Sequence, residues 1–529
     1  MNIKITHHNN ESTPPAVANT VKSKRGFFFI FICFLTAHIL LISTTRLFPF
    51  LDMPNHLAIA TIYKSYGDSA NQFEKFFYID LFPKPNVFHV VFCGSQLFPT
   101  VEIANRIFYC LYAVLFSLAG FLVIKRVHGN PWFCLLPFLL LYNINVSYGF
   151  TGFTISIPFV LLTFYVILDY LDHPNPYNVI ALSVLFAALF FMHACGILFC
   201  LFIFFFCLYR KHQSLKLFLY KCLPAVPSLI IFAIWWLRDS AEYSGRDMTG
   251  FLFEYYTHDY IKSFFTRGGF LIHDNFRLYG GPTGYTIAAL FSLFIIGFFG
   301  YGFLRNKQPL KTLVSTAHGK ALCIFAACSL SCVLFMPVQL PGYSFLFQRF
   351  SVYLLLSIIF SGSILFAEQL HRLAAASICV VCFIHLLLWA DCFKDFQNEN
   401  RLFNESFFPA KAQNKKIGAL VYDFRFRKMS VYDNFADYFV VWKNGITSSR
   451  IFDARSFPIR RKSGTNALPE FIEWVGKLNN YDGRYEEMDY ILVRGSPPAE
   501  AKKYLKHFSI VKTADKWFLY KKTEPPLTF

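Results

Sequence analysis

The sequence predicts a mainly α-helical fold: a polytopic transmembrane bundle of about eleven spans followed by a small α/β domain. Three observations predict it. Hydrophobic residues make up 55% of the 529 and charged residues only 16%, where a soluble chain carries about 25% charged. The apolar residues fall in runs near the length that crosses a bilayer core. The basic residues gather in alternate short loops between those runs, which is the charge asymmetry of membrane topology. The net charge of +18 follows from that pattern and from the C-terminal region, so it does not mark a nucleic-acid groove.

Residues 1–26 read as a disordered cytoplasmic tail. The first apolar run, 27–45, follows Lys22, Lys24 and Arg25. It is long for a signal-peptide core and lacks a small-x-small cleavage site, so it reads as a retained anchor. The next runs are 104–124, 132–149, 151–170, 178–193, 197–209, 217–236, 285–304, 320–337, 350–367 and 373–390. With the N-terminus inside, the cytoplasmic connections carry Lys125 and Arg126, then Arg210, Lys211 and Lys216, then Arg305, Lys307 and Lys311, then His371 and Arg372. Only the loop at Asp172 and His173 lacks the expected basic residues. A single helix over 178–209 would be about 48 Å long at 1.5 Å per residue, too long for a bilayer. The run therefore breaks at His193-Ala194-Cys195-Gly196.

This topology leaves three outer segments, 46–103, 237–284 and 338–349, and puts the C-terminal region outside. The chain thus divides into the tail, a transmembrane domain over 27–391 and an extracytoplasmic α/β domain over 392–529. In the last, Ile417 to Tyr422 and Tyr490 to Val493 read as buried strands, and Pro497 to His507 as a short helix opened by Ser496. Phe508 to Lys521 reads as a hairpin turning at Ala514-Asp515. Most of the 14 cysteines lie inside apolar runs, where a thiol behaves as a small hydrophobe. No pair has metal-ligand spacing in a loop, so no disulfide framework is expected.

Acidic residues and histidines collect in the first two outer segments. The most suggestive stretch is Phe48-Pro49-Phe50-Leu51-Asp52-Met53-Pro54-Asn55-His56-Leu57. Pro54 suits the first turn of a helix, which places Asp52 at its N-terminal end. The helix dipole there favours a carboxylate. With His56 one turn on, Asp52 suits a general base at the membrane surface; the plainer reading is a helix cap beside a polar surface residue. His193 interrupts an apolar run on the outer side and should face protein or water. It either lines a cavity with Asp52 or packs against a backbone carbonyl. Arg349, in Ser344-Phe345-Leu346-Phe347-Gln348-Arg349-Phe350, stands at the outer mouth of a helix, as a functional cation or a snorkelling anchor. Lys84, Asn86 and His89 belong to the stiff loop Phe82-Pro83-Lys84-Pro85-Asn86-Val87-Phe88-His89. Arg238 and Arg277 read as loop charges within reach of the same surface. His38 reads as a packing residue, and Glu74 and Asp80 as loop surface. The aromatic stretch Phe251 to His258 suits a segment lying on the membrane, or an ordinary interfacial belt.

A long first outer loop with an acidic residue just after the first helix resembles the GT-C-type glycosyltransferases. Asp52-Met53-Pro54-Asn55-His56 is similar to the form found in bacterial GT-C-like membrane proteins of undefined substrate. The resemblance covers the architecture of most of 27–391 together with that one motif. It implies sugar transfer on the outer face of an inner membrane, with a polyprenyl-phosphate-linked sugar as donor. The acceptor would be a cell-envelope glycan, lipid or protein. Asp52 and His56 would be catalytic, and Arg349, His193, Lys84, Asn86, His89, Arg238 and Arg277 would meet substrate. The usual family signature has two adjacent acids or Asp-x-Asp; this loop has neither, and a divalent metal cofactor stays open. Two other readings compete. A transporter or flippase would show paired halves and mid-helix charges, whereas here the polar residues concentrate at one surface. A non-catalytic membrane scaffold would tolerate replacement of Asp52.

Overall fold

In a computed structural model of the chain, residues 15–211, 214–243, 252–340, 343–367, 370–453, 457–462, 487–502 and 505–523 are described. Among them nine helices are long and apolar enough to cross a membrane, and two shorter apolar helical stretches accompany them. The long ones include α1 (Pro15–Thr44), whose apolar part starts at Gly26. This helix already runs through residues 15–26, where a disordered tail was expected; residues 1–14 lie outside the described residues. After α1 come a short helix α2 (Met53–Lys64), a strand β1 (Phe77–Ile79) and a short helix α3 (Phe88–Cys93). These make up the first outer segment.

The next span is α4 (Val101–Arg126), opened by Thr100, whose hydroxyl accepts from the Ile103 amide. Such a cap stabilises a helix by about 1 kcal/mol. The expected span at 132–149 is instead a 3-10 helix, Pro131–Leu140, followed by a turn and the short helix Ile144–Ser147. Pro137 inside it removes an amide donor and clashes with the preceding turn of an α-helix. At about 2.0 Å rise per residue the 3-10 form still covers about 20 Å in ten residues.

The helices α5 (Thr151–Asp172), α6 (Pro176–Met192) and α7 (Ala194–Lys211) follow. His193 between the last two is extended, at φ −166° and ψ 128°, so the break falls where the sequence puts it. Then come α8 (Leu215–Arg238), α9 (Tyr260–His273), α10 (Gly281–Arg305), α11 (Ala317–Phe335), α12 (Leu346–Leu365) and α13 (Arg372–Glu399). The outer segment 237–284 is thus largely helical where described. Ile261, Phe264 and Phe265 of α9 are exposed, as on a helix lying against lipid.

At one end of the bundle Arg126 pairs with Asp169 at 3.0 Å and with Asp172 at 2.8 Å, and His318 pairs with Asp172 at 2.6 Å. The acidic residues that broke the basic-loop pattern are therefore held by the basic residue of the preceding loop.

The C-terminal region is built on a five-stranded sheet of β2 (Lys416–Val421), β3 (Ile446–Thr447), β5 (Tyr490–Arg494), β6 (Phe508–Ala514) and β7 (Trp517–Lys522), in the order β6-β7-β5-β2-β3. A further strand, β4 (Ile459–Arg461), lies outside this sheet. Strand β2 runs parallel to both neighbours, whereas β5, β7 and β6 are antiparallel. The predicted strands and hairpin are present; of the helix predicted over 497–507, Ala499–Lys502 is helical, and residues 503–504 lie outside the described residues. This region and the first outer segment do not fold separately. Strand β1 pairs with β4, Phe77 opposite Arg461. Ile59 and Ile62 of α2 share one apolar core with Val440, Ile446, Phe452 and Ile491.

Candidate active site

The predicted residues converge at the end of the bundle opposite Arg126 and Asp172. Asp52 is the N-cap residue of α2. Its amide donates to the Tyr148 carbonyl at 2.9 Å, and its carbonyl accepts from the His56 amide at 3.2 Å. The turn that meets it requires Gly149. That residue has φ 78°, and an added Cβ would lie 2.9 Å from the Met53 nitrogen and 3.0 Å from that of Asp52. Asp52 is half-buried, and its Oδ1 accepts from the Asn434 side chain at 3.1 Å. Tyr148 stands within electrostatic reach of Asp52, Asp274 and Arg277. The Arg277 guanidinium lies 4.8 Å from the Tyr148 ring centre.

Arg349 sits in the first turn of α12, only 9% exposed. Its guanidinium lies 3.8 Å from the centre of the Phe150 ring, donates to the Ser344 carbonyl at 3.1 Å and is 3.4 Å from His193 Nε2. The His193 Nδ1 accepts from the Cys195 amide at 3.1 Å. That bond takes the Nδ1 lone pair and fixes the tautomer: Nε2 carries the proton. His193 and Arg349 lie together in one buried cluster.

His56 departs from its expected role. Its imidazole is buried and bonded to Thr151 Oγ1 at 3.3 Å, not to Asp52. The ring packs edge-on against His89 at 5.6 Å and against Phe457 at 5.6 Å. Burial first, then His89 and Arg349, hold it well below the ordinary histidine range. It is thus a neutral neighbour of Arg349 and no partner of the carboxylate. His89 is likewise buried, bonded to Asn105 at 3.0 Å, and burial lowers it to about 4.

Lys84 and Arg238, expected to meet substrate, both pair with a neighbouring carboxylate. Lys84 is fully buried and pairs with Asp80 at 2.8 Å. Arg238 pairs with Asp80 at 3.2 Å and donates to the Phe82 carbonyl at 2.8 Å. Arg460 approaches the same carboxylate at 3.9 Å. Burial raises Asp80, but Lys84, Arg238 and Arg460 outweigh it and hold the carboxyl below its usual range. Asp80, expected at the loop surface, is the centre of a clasp in which Lys84 is buried while the Arg238 side chain is 37% exposed. Asn86 remains near the site: its Oδ1 is buried, without a hydrogen-bond partner among the described residues, and stands 2.7 Å from where a Cβ on Gly152 would be. His38 is the expected packing histidine, bonded to Tyr142.

A groove of ≈ 670 Å³ opens between α7 and α11, lined by Leu198, Phe199, Phe202, Ala327, Ser331 and Phe335 among others. Its walls are almost wholly apolar. At one end are Cys195, two residues from His193, and Phe350, next to Arg349. Tyr256 of the aromatic segment borders it and donates to the Phe335 carbonyl at 2.6 Å. Phe251 of that segment lies outside the described residues. A second, polar cavity of ≈ 470 Å³ lies at the far end of α2, around Lys64, Glu102, Arg106 and Trp442. Twelve residues of helix put it about 18 Å from Asp52.

Sequence reasoning missed Asn434, Thr151, Tyr148 and Asp274. Three are uncharged, and none carries a local pattern; only their meeting in space marks them. Among the described residues no three of His, Cys, Asp and Glu gather as metal donors, so the residues present do not fit a protein-held divalent ion.

No family model matches the chain, and no curated protein matches it in sequence. Solved structures do share its fold. ArnT from Cupriavidus metallidurans bound to undecaprenyl phosphate superposes with a TM-score of 0.56 at 12% identity, covering 94% of this chain and 99% of that one. ArnT from the same organism in the apo state gives 0.54 at 11%, covering 95% and 100%. The chain therefore shares the polytopic fold of these ArnT structures, bundle and C-terminal region together. At such identity the likeness is one of fold.

Proposed function

We propose that the chain is a membrane glycosyltransferase, moving a sugar from a polyprenyl-phosphate-linked donor to an acceptor hydroxyl at the outer membrane face. The observation that carries this is the apolar groove whose lining includes Cys195 and Phe350, close in the chain to the buried His193–Arg349 pair, at the bundle end that also holds Asp52. Such a groove suits an isoprenoid chain, and the Arg349 cation suits the phosphate that joins chain to sugar. A transporter would instead need a polar path through the bundle. The likeness to a fold that holds undecaprenyl phosphate supports the same donor class.

In this reading Asp52 takes the proton of the acceptor hydroxyl as its oxygen bonds the anomeric carbon. The bond from that carbon to the lipid phosphate oxygen breaks, and the phosphate leaves with the electron pair. The transition state is oxocarbenium-like, and charge develops on the phosphate, where Arg349 stabilises it. His193, donating from Nε2, is a second donor to the same group. The acceptor class is a cell-envelope glycan, lipid or protein. The test is transfer from a panel of undecaprenyl-phosphate-linked sugars by purified Asp52→Asn. Loss of a general base should lower the rate about 10²–10⁴-fold with membrane expression unchanged. Transfer at the native rate would rule out Asp52 as the base.

A further inference from the structure

We propose that the C-terminal region is part of the active site, with Asn434 as the positioning residue that holds the Asp52 carboxylate. The proposal rests on the reading of Asp52 as the base.

Asn434 lies just before the 3-10 turn Phe435–Asp437 and is only 7% exposed. Its side-chain nitrogen donates at 3.1 Å to Asp52 Oδ1 and at 3.1 Å to the Leu51 carbonyl. An amide nitrogen has two protons, and here both are committed. One fixes a carboxylate oxygen, and the other fixes the backbone of the residue before it. The side chain therefore sets the carboxylate's direction relative to its own main chain, which a single bond would leave free to swing.

The turn that carries Asn434 is itself rigid. Thr447 donates to Asp437 at 2.7 Å. Phe435 stacks on Trp517 at 5.7 Å, tying the turn to the sheet. The rest of the region reaches the same helix: Ser449 donates to Asn55 at 3.4 Å, and Phe457 packs on His56. A region that merely docked outside the bundle would meet it through apolar surface. This one sends a buried, doubly bonded amide to the functional carboxylate, and a buried amide is costly unless its bonds are made.

A donor to a carboxylate favours its ionised form, so Asn434 also keeps the base ready to accept a proton. Among the described residues, the charged or titratable groups around Asp52 include Tyr148 from the turn against which α2 starts, with Arg277 and Asp274 behind it, and His56 one turn along α2, with Arg349 beyond.

The experiment measures carbodiimide modification of Asp52 against pH in the full-length protein, read by peptide mass spectrometry. Only the protonated carboxyl reacts, so the midpoint reports its titration without any substrate. Asn434→Ala should raise the midpoint, and Asn434→Asp, which keeps the size but sets a like charge beside it, should raise it further. Binding of undecaprenyl phosphate should be unchanged in both, since Asn434 is not in the groove. Should the alanine variant fail to fold, the aspartate variant carries the test. Native midpoints in the variants that fold would overturn the role of Asn434; with Asp52→Asn inactive, the base reading would stand alone. Native transfer by Asp52→Asn would overturn both.

Discussion

Two buried imidazoles give this protein an acid limit. In the fold His56 and His89 are neutral, lowered by burial, and His89 is lowered to about 4. In the unfolded chain both take up a proton near pH 6.5. The unfolded state therefore binds more protons below that value, and stability falls as the pH drops from about 6.5 towards 4. His89 alone should cost about 3 kcal/mol by pH 4 at 1.4 kcal/mol per unit. The thermal midpoint should be flat from pH 7 to 8 and fall below 6.5, and His89→Gln should make that fall shallower. Equal slopes in the two proteins would contradict the neutral assignment. At this scale the sequence was legible for ions at helix ends: Asp52, His193 and Arg349 stand where polar residues border apolar runs. It was illegible where a side chain's fate depends on a distant partner. Nothing near Lys84 says that Asp80 and not a ligand takes its charge, and nothing near His56 says that Thr151 turns it from Asp52.

Between Ser147 and Thr151 the chain makes the turn against which α2 starts, and that turn sets the position of Asp52. Replacing Gly149 by alanine puts a methyl against two backbone nitrogens and holds an L-residue in the left-handed region, a conformation costing about 1–2 kcal/mol. The bond from the Asp52 amide to the Tyr148 carbonyl should loosen with it. Gly149→Ala should therefore lower thermal stability and transfer together, and hydrogen exchange at the Asp52 amide should quicken. Unchanged exchange would show that α2 starts independently of the turn. The apolar runs located nearly every element, including the break at His193, because burial in lipid imposes length and composition directly. They did not reveal the 3-10 form of Pro131–Leu140, although Pro131 and Pro137 were its signal. Nor did they reveal the helix over residues 260–273, whose exposed apolar face lacks the uniform hydrophobicity of a span.

Across the whole molecule, one end holds Arg126, Asp172 and His318, and the other holds Asp52, His193, Arg277 and Arg349. From the basic-loop asymmetry we propose that the first end faces the cytoplasm. A cysteine placed at Gly250, outside the described residues, should then react with an impermeant thiol reagent in intact cells, and labelling only after membrane disruption would invert the assignment. The division into a bundle and a separate C-terminal domain was the least legible feature. Strand pairing between β1 and β4, and a core shared by α2 and the sheet, join segments that no local pattern connects. That join also has a timetable. Asn434 follows Asp52 by 382 positions, and a ribosome adding about 5–20 residues per second needs roughly 20–80 s to make them. For that interval the nascent protein carries β1 with a bare edge and Asp52 without its amide partner. Completion of the proposed site is consequently among the last events of biogenesis, and a translation product cut short before Asn434 lacks the amide that holds Asp52 Oδ1.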